Sequence, residues 1–295
     1  MESIIHCPSC GNADLVHVFN VEDFTVSHEK FEILECKNCT LRFTQGVPAE
    51  DQIGRYYQSE QYISHTDSNK GLFNKIYQLV RSHALRSKRN LVENFSSTKS
   101  GHMLDYGCGT GAFLNEMKLN GWNAMGIEPD AGAMDKAKAL TGAEVKPPSA
   151  LAELKAGSFD AITLWHVLEH VHSLHATIDK LKDALKPGGY LFVAVPNYTS
   201  YDATVYKEYW AAYDVPRHLY HFSPESMKQL MLLHGLKLKT IKPMWFDSFY
   251  VSMLSEKYKN KNAGFVSAMI TGAISNLKAL FSKESCSSLI YIIQK

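Results

Sequence analysis

The stretch His102-Met103-Leu104-Asp105-Tyr106, followed at once by Gly107-Cys108-Gly109-Thr110-Gly111, constrains this chain more than any other feature. An apolar run that enters a glycine-rich turn and leaves into a helix-prone segment, 112–120, opens a strand–turn–helix unit. Glycines there let the backbone approach a ligand, and the helix N-terminus presents unbonded N–H groups. The pattern then repeats. Strands are expected at 123–127, 143–146, 159–166 and 190–195, with a helix at 174–185 before the last of these. A third helix, 224–234, starts on Ser223-Pro224, an N-cap followed by proline at the first position, and stops at Gly235. Two later strands, 236–242 and 288–293, complete a seven-stranded set. Strands alternating with helices at these lengths need crossover connections, so the expected class is α/β with a doubly wound, mainly parallel sheet.

Two acids stand where such a sheet binds ligands. Asp105 lies two residues before Gly107, and Glu128, in Glu128-Pro129-Asp130, follows the second strand 23 residues later. That separation lets an acid at the tip of strand two accept both hydroxyls of a ribose. The glycine spacing is G-x-G-x-G, not G-x-G-x-x-G, which turns the reading away from nicotinamide dinucleotides. The fourth strand runs into Trp165-His166 and then Val167-Leu168-Glu169-His170-Val171. A tryptophan at a strand tip lines a site or simply closes a core edge.

The front of the chain carries a different chemistry. Cys7-Pro8-Ser9-Cys10-Gly11 and Cys36-Lys37-Asn38-Cys39 are two C-x2-C knuckles. A two-residue spacer lets both thiolates of a pair reach one zinc ion, and two pairs complete a tetrahedron. Short strands at 15–18 and 31–35 make a ribbon between them. Six cysteines with four in this pattern suit a reducing compartment, with structural zinc rather than disulfides. We expect a zinc ribbon at 1–47, a helical connector or arm at 48–99 and an α/β domain at 100–295. Helices are expected at 49–57 and 69–95, and residues 245–285 form a helical lid emerging at the carboxyl face of the sheet.

Composition narrows the class of function. A formal net charge of +1 gives no strong field for nucleic acid. The least charged stretch, 263–281, includes Ser267, Thr271, Ser275, Asn276 and Lys278. A span needs about 20 mainly apolar residues, so no transmembrane segment is expected there. Its apolar residues recur every three or four positions, the pattern of an amphipathic helix on a core, with a membrane-surface role as the alternative. No secretory signal is readable, and a cytoplasmic location is expected.

The segments LDYGCGTG, GIEPD, FDAITLWHVLEHV and LKPGGYLFVAVPN, in this order and spacing, resemble class I S-adenosylmethionine-dependent methyltransferases. The similar branch holds ubiquinone-biosynthesis and sugar methyltransferases, and the likeness covers residues 100–240. The four-cysteine front resembles that of zinc-containing sugar C-methyltransferases. The resemblance implies a Rossmann-like fold with S-adenosylmethionine as cofactor. It assigns Gly107, Gly109 and Gly111 to the methionine portion, Asp105 to its ammonium group and Glu128 to the ribose, with Tyr106 and Cys108 also contacting the cofactor. Pro129, Ser149 and Ala150 would flank the adenine, with Trp165 and His166 beside the methionine end. The implied reaction is O- or C-methylation of a small-molecule or glycan/lipid-precursor acceptor. The alternative is an RNA methyltransferase using the ribbon to hold RNA. The near-zero charge opposes it, as does Trp165-His166 where base-amino methyltransferases carry (Asn/Asp)-Pro-Pro-(Tyr/Phe).

Methyl transfer to a hydroxyl or carbon acid needs alignment, exclusion of water and a base. His218 and His221 are the candidate bases, and the resemblance to the sugar enzymes singles out His218. Tyr62, Trp210 and Arg217 are the candidate acceptor contacts, with Arg217 suited to a carboxylate or phosphate.

Overall fold

The computed structural model of the chain describes residues 4–58, 72–260 and 264–295, with side chains of the first long helix from residue 80 onward. In chain order, β1 (Leu15–Glu22), β2 (Lys30–Cys36) and β3 (Arg42–Thr44) lead through a 3-10 turn (Ile53–Tyr57) to α1 (Leu72–Ser96). Then come β4 (His102–Tyr106), α2 (Ala112–Leu119), β5 (Asn123–Ile127), α3 (Ala131–Thr141), β6 (Val145–Lys146), β7 (Phe159–Trp165), α4 (Leu174–Ala184) and β8 (Leu185–Pro196). The remainder is α5 (Tyr201–Tyr206), β9 (Tyr220–His221), α6 (Pro224–Leu233), β10 (Lys237–Pro243), α7 (Asp247–Lys259), α8 (Phe265–Phe281) and β11 (Ser288–Gln294). No helix among the described residues is long and apolar enough to cross a membrane.

The large sheet has seven strands in the order β10-β11-β8-β7-β4-β5-β6. β4 pairs in parallel with both β5 and β7, and β5 in parallel with β6. The chain therefore starts in the middle, winds out to β6, and returns to β7 on the other side of β4. Such a reversal opens a crevice at the carboxyl ends of the strands beside it, which is where the glycine turn sits. Ala161, Ile162 and Leu164 of β7 and Leu191 to Val195 of β8 are buried without alternation. This is the signature of strands covered on both faces. β8 begins five residues earlier than the sequence pattern indicates. Lys295 N donates to Gly189 O at 3.1 Å, so the end of the chain pairs with the Gly188-Gly189 stretch and keeps it extended.

Contact density divides the chain into two compact units. One holds the described residues of Ser64–Val167 together with Ala176–Val193 and Ile292–Lys295, and contains the glycine turn. The other holds the described residues of Met1–Ile63 together with Leu168–His175 and Ala194–Tyr291. Within this second unit a four-stranded sheet runs β1-β2-β3-β9. β3 pairs antiparallel with β9, Arg42 opposite His221 and Phe43 opposite Tyr220. The cysteine ribbon is thus completed by a strand that follows it by some 180 residues in sequence.

The helix expected at 49–57 is a 3-10 turn. Gly54 disfavours an α-helix at its centre, and Ile53 and Tyr56, three apart, share one buried edge of the tighter helix. Within 245–285 the described residues form α7 and α8. A buried carboxylate ties α8 to its surroundings: Asp202 accepts from Trp210 Nε1, Ser275 Oγ and Ser287 Oγ, each at 2.7 Å. On α6 the Ser223 hydroxyl accepts from Ser226 N at 3.0 Å, and Ser226 Oγ accepts from Ser223 N at 2.8 Å, a closed capping box.

Candidate functional site

The turn after β4 is held open by its own backbone. Gly107 N and Cys108 N both donate to Ile127 O, at 2.7 and 3.1 Å, which locks the turn against the end of β5. Gly107 adopts φ +78°, and a Cβ there would lie 2.4 Å from Val167 Cγ2, so no side chain fits. Gly109, at φ +54°, has nothing within 4 Å of its would-be Cβ, and this side of the turn is open to a ligand. The turn itself brings Gly109 N to Glu128: it donates to Oε2 at 2.8 Å, while Asp130 N donates to Oε1 at 3.0 Å. Each carboxylate oxygen keeps a lone pair for a further donor, as two vicinal hydroxyls would require. Burial raises the Glu128 carboxyl above its usual range, with those two amide bonds working against the rise.

Asp105 is fully buried at the end of β4 and accepts from Thr163 Oγ1 at 2.7 Å. Burial pushes its carboxyl up to about 6; the Thr163 bond and the Lys88 charge pull the other way. Lys88, on α1, is a participant that the sequence pattern did not single out. Its ammonium lies 4.3 Å from the centre of the Trp165 ring. The only sequence signal was a basic run along a helix, which is ordinarily a solvated face. Trp165 also stands edge-on to Phe113 at 5.3 Å, and its buried indole N–H has no hydrogen-bond partner among the described residues. An orphaned donor beside an acid and an open glycine turn fits a group with carboxylate, ammonium and hydroxyls. His166 takes a left-handed φ of +58°, a conformation non-glycine residues rarely hold. Ala150 is buried and Ser149 exposed on the short turn Pro148–Glu153, which follows β6 and packs on β5; Pro129 and Tyr106 stand at the ends of β5 and β4. Burial raises the Cys108 thiol to about 12, so this cysteine is no nucleophile at neutral pH.

In the other unit Cys7, Cys10, Cys36 and Cys39 bring their sulfurs within 4.8 Å of one another. The Cys7–Cys39 and Cys10–Cys36 separations are each 3.5 Å. That is far beyond a disulfide bond of about 2.05 Å and close to the edge of about 3.8 Å for a tetrahedron of 2.3 Å bonds. A hydrogen bond from Cys39 draws the Cys7 thiol down to about 5, and the same contact raises Cys39. Crowded thiols of this kind could hold one divalent cation. A second cluster, which the sequence pattern did not mark, joins Glu169, His170 and His218, whose ligand atoms also lie within 4.8 Å.

The two candidate bases separate. His218 Nδ1 donates to Ala212 O at 2.8 Å, which assigns the lone pair to Nε2, 3.9 Å from Asp214 Oδ2. His170, edge-on to His218 at 4.5 Å, is held to about 4 by burial and then by the His218 charge. His221 is different. Thr44 Oγ1 donates to His218 O at 2.7 Å and so accepts from His221 Nε2 at 3.1 Å. Burial holds His221 well below the usual histidine range. It is a neutral part of the ribbon core and is withdrawn as a base.

Two acceptor contacts are also corrected. Arg217 is 1% exposed. Its guanidinium donates to Asp214, to Asp23 at 3.0 Å, to Tyr56 O at 2.7 Å and to Thr25 Oγ1 at 2.5 Å. All three of its nitrogens are engaged inside the protein, and Arg217 is an internal anchor. Trp210 is equally buried, with its indole committed to Asp202. Tyr62 lies outside the described residues.

Residues 77–241 match the family described as Methyltransferase domain. The ubiquinone biosynthesis O-methyltransferase of Nitrosococcus oceani is 35% identical over 115 residues, 37% of this chain and 49% of the relative. That of Xanthomonas axonopodis pv. citri is 28% identical over 158 residues, 49% of this chain and 66% of the relative. The chain spans about half to two-thirds of the length of these curated relatives. A SAM-dependent methyltransferase from Methanosarcina mazei superposes with a TM-score of 0.50 at 16% identity, covering 70% of this chain and 96% of that one. At that identity the likeness speaks for the fold alone.

Proposed function

Because this chain belongs to the Methyltransferase domain family, we propose that it transfers a methyl group from S-adenosylmethionine to a small-molecule acceptor, most simply by O-methylation. The observation that carries this reading is Glu128, fixed by Gly109 N and Asp130 N with a lone pair to spare on each oxygen. The class I methyltransferase sheet places it beside the open glycine turn. S-adenosylmethionine would supply an electrophilic methyl on a sulfonium, with the neutral thioether of S-adenosylhomocysteine as the leaving group of an in-line displacement. Glu128 would accept the ribose hydroxyls, and Asp105 would pair with the ammonium of the methionine portion. Trp165 Nε1 and Lys88 would face its carboxylate. His218 is the residue we propose as base, because its Nδ1 donates to Ala212 O and leaves the lone pair on Nε2. The relatives named for ubiquinone biosynthesis direct attention to phenolic acceptors, with glycan and lipid precursors beside them.

The test is calorimetric titration with S-adenosylhomocysteine, followed by transfer of labelled methyl to phenols, nucleotide sugars and RNA. Folded protein that binds neither S-adenosylhomocysteine nor S-adenosylmethionine would sink the proposal; label in RNA alone would replace its acceptor.

Asp105 gives this binding a pH dependence. Its carboxyl titrates at about 6 and must be ionised to hold an ammonium. Affinity is expected to be flat above pH 7 and to fall about tenfold at pH 5, as the ionised fraction drops by that factor. Titration at the two pH values checks it, and Asp105→Asn should abolish the slope.

We assign zinc to the four cysteines and place the protein in a reducing, cytoplasmic setting. Purified protein is expected to carry one zinc per chain by elemental analysis. Cys36→Ser should lose it and lower the unfolding midpoint, because metal affinity in such ribbons is folding energy. Zinc content unchanged in that variant would exclude the cluster as its site.

A further inference from the structure

α8 is amphipathic with its polarity reversed. The face it packs inward is Ala268, Thr271, Gly272, Ser275 and Ala279, all small or hydroxyl-bearing. The large apolar residues point out: Phe265, Val266, Ile270, Leu277, Leu280 and Phe281 are 54–88% exposed. Val266, Ile270, Ala273, Leu277 and Leu280 follow one another at four, three, four and three residues, a single stripe along the helix. α7 repeats the arrangement in part: Ser248, Ser252 and Ser255 are buried together with Val251 and Glu256, while Tyr250, Met253 and the preceding Phe246 are exposed. The two helices meet closely: a Cβ on Gly272 would lie 2.9 Å from Phe249 Cδ1. Small residues inside and large apolar ones outside is how helices pair when their surroundings are hydrocarbon. In water it leaves an apolar surface that needs a cover.

Charge decides what the cover is. Residues 245–285 hold five lysines, no arginine and three acids, a formal +2 in a chain whose total is +1. Lys257, Lys259, Lys278 and Lys283 are exposed along or next to the two helices, whereas Glu256 is buried and bonded to Asn260. A second copy would bring this lysine set against itself across a two-fold axis. An anionic surface would not. At 17 residues α8 is about 25 Å long, shorter than the hydrocarbon core of about 30 Å, so it can lie in the interface and not span it.

We propose that the α7–α8 hairpin docks this protein on an anionic lipid bilayer, burying the outward stripe of α8 among the acyl chains beneath a lysine rim.

The test is flotation of the whole 295-residue chain, purified with its metal, with vesicles of pure phosphatidylcholine, and of phosphatidylcholine mixed with phosphatidylglycerol at roughly three to one. Binding is expected to the anionic vesicles and to weaken as salt rises. Leu277→Ser/Leu280→Ser should reduce it at least tenfold, since two large side chains leave the hydrocarbon. Lys257→Glu/Lys259→Glu should reduce it by about tenfold through the surface potential. All four positions face outward, so circular dichroism should show native folding. The proposal is overturned by absence of vesicle binding, by binding indifferent to both variants, or by a dimer in light scattering that the leucine variant dissociates while lipid has no effect.

Discussion

Arg217→Ala is expected to lower the stability of the folded chain by about 3–5 kcal/mol, a large fraction of what a domain has to lose. The cause is not the loss of a favourable pair as such. Arg217 and Asp23 are each 1% exposed, and Asp214 shares the same guanidinium at 2.6 Å. Removing the cation strands the Asp23 carboxylate away from water, with the partly exposed Asp214 beside it, and that desolvation is the dominant cost. An unfolding midpoint lower by about 10 °C in a thermal melt is the corresponding observable. The pH dependence sharpens the test. Burial would raise the Asp23 carboxyl, but the Ser27 amide and then Arg217 hold it down to about 2, and Asp214 is lowered as well. A depressed carboxyl contributes stability above its unfolded value of about 4 and loses it as pH falls toward 2. Without Arg217 the two acids are raised instead, and protonating them relieves the variant. The gap between wild type and variant should therefore be widest near pH 7 and narrow below pH 4. A gap that stays constant with pH would mean that the loss is packing alone. Unchanged acceptor affinity in a folded Arg217→Lys protein would agree with an anchoring role.

Glu128→Ala is expected to weaken S-adenosylhomocysteine binding by at least about 100-fold. Two hydrogen bonds to a charged acceptor, each worth about 1.5–3 kcal/mol, are lost together. The side chain also holds Gly109 N and Asp130 N, so alanine loosens the turn as well as deleting the acceptor. Glu128→Gln separates the two effects, because its carboxamide keeps one acceptor oxygen and should fall between wild type and alanine. Calorimetry on proteins with matching thermal melts reads the difference. Equal affinity in all three would remove Glu128, and with it the observation on which the proposed function stands.

The strands of the large sheet were legible from sequence because burial on both faces leaves uninterrupted apolar runs, as at Ile162 and Leu164. Boundaries were less so: β8 runs back to Leu185 because Lys295 pairs with Gly189, a contact no local pattern encodes. The glycine turn and its two acids were readable because their spacing is set by one strand–turn–helix unit. Lys88 was not, since its partners Trp165 and Asp105 come from other strands. The helix start at Ser223-Pro224 was visible for the same reason as the turn, being local in sequence, whereas the partner Ser226 that closes its capping box was not singled out.

What the sequence alone determined is whatever closes over a short stretch or through repeated spacing. This covers the alternation that makes a doubly wound α/β sheet, the placement of Asp105 and Glu128 about the turn, and four cysteines at distances fit for one cation. The tertiary structure alone decided the rest. It inserted β11 between β10 and β8, completed the ribbon with β9, turned the apolar stripe of α8 outward, and consumed Arg217 and His221 in the interior. The physical reason is that a side chain's donors and acceptors are the same whatever they meet. Arg217 offers an identical fork to a substrate carboxylate and to Asp23, and only the fold, by bringing together residues 194 positions apart, chose between them.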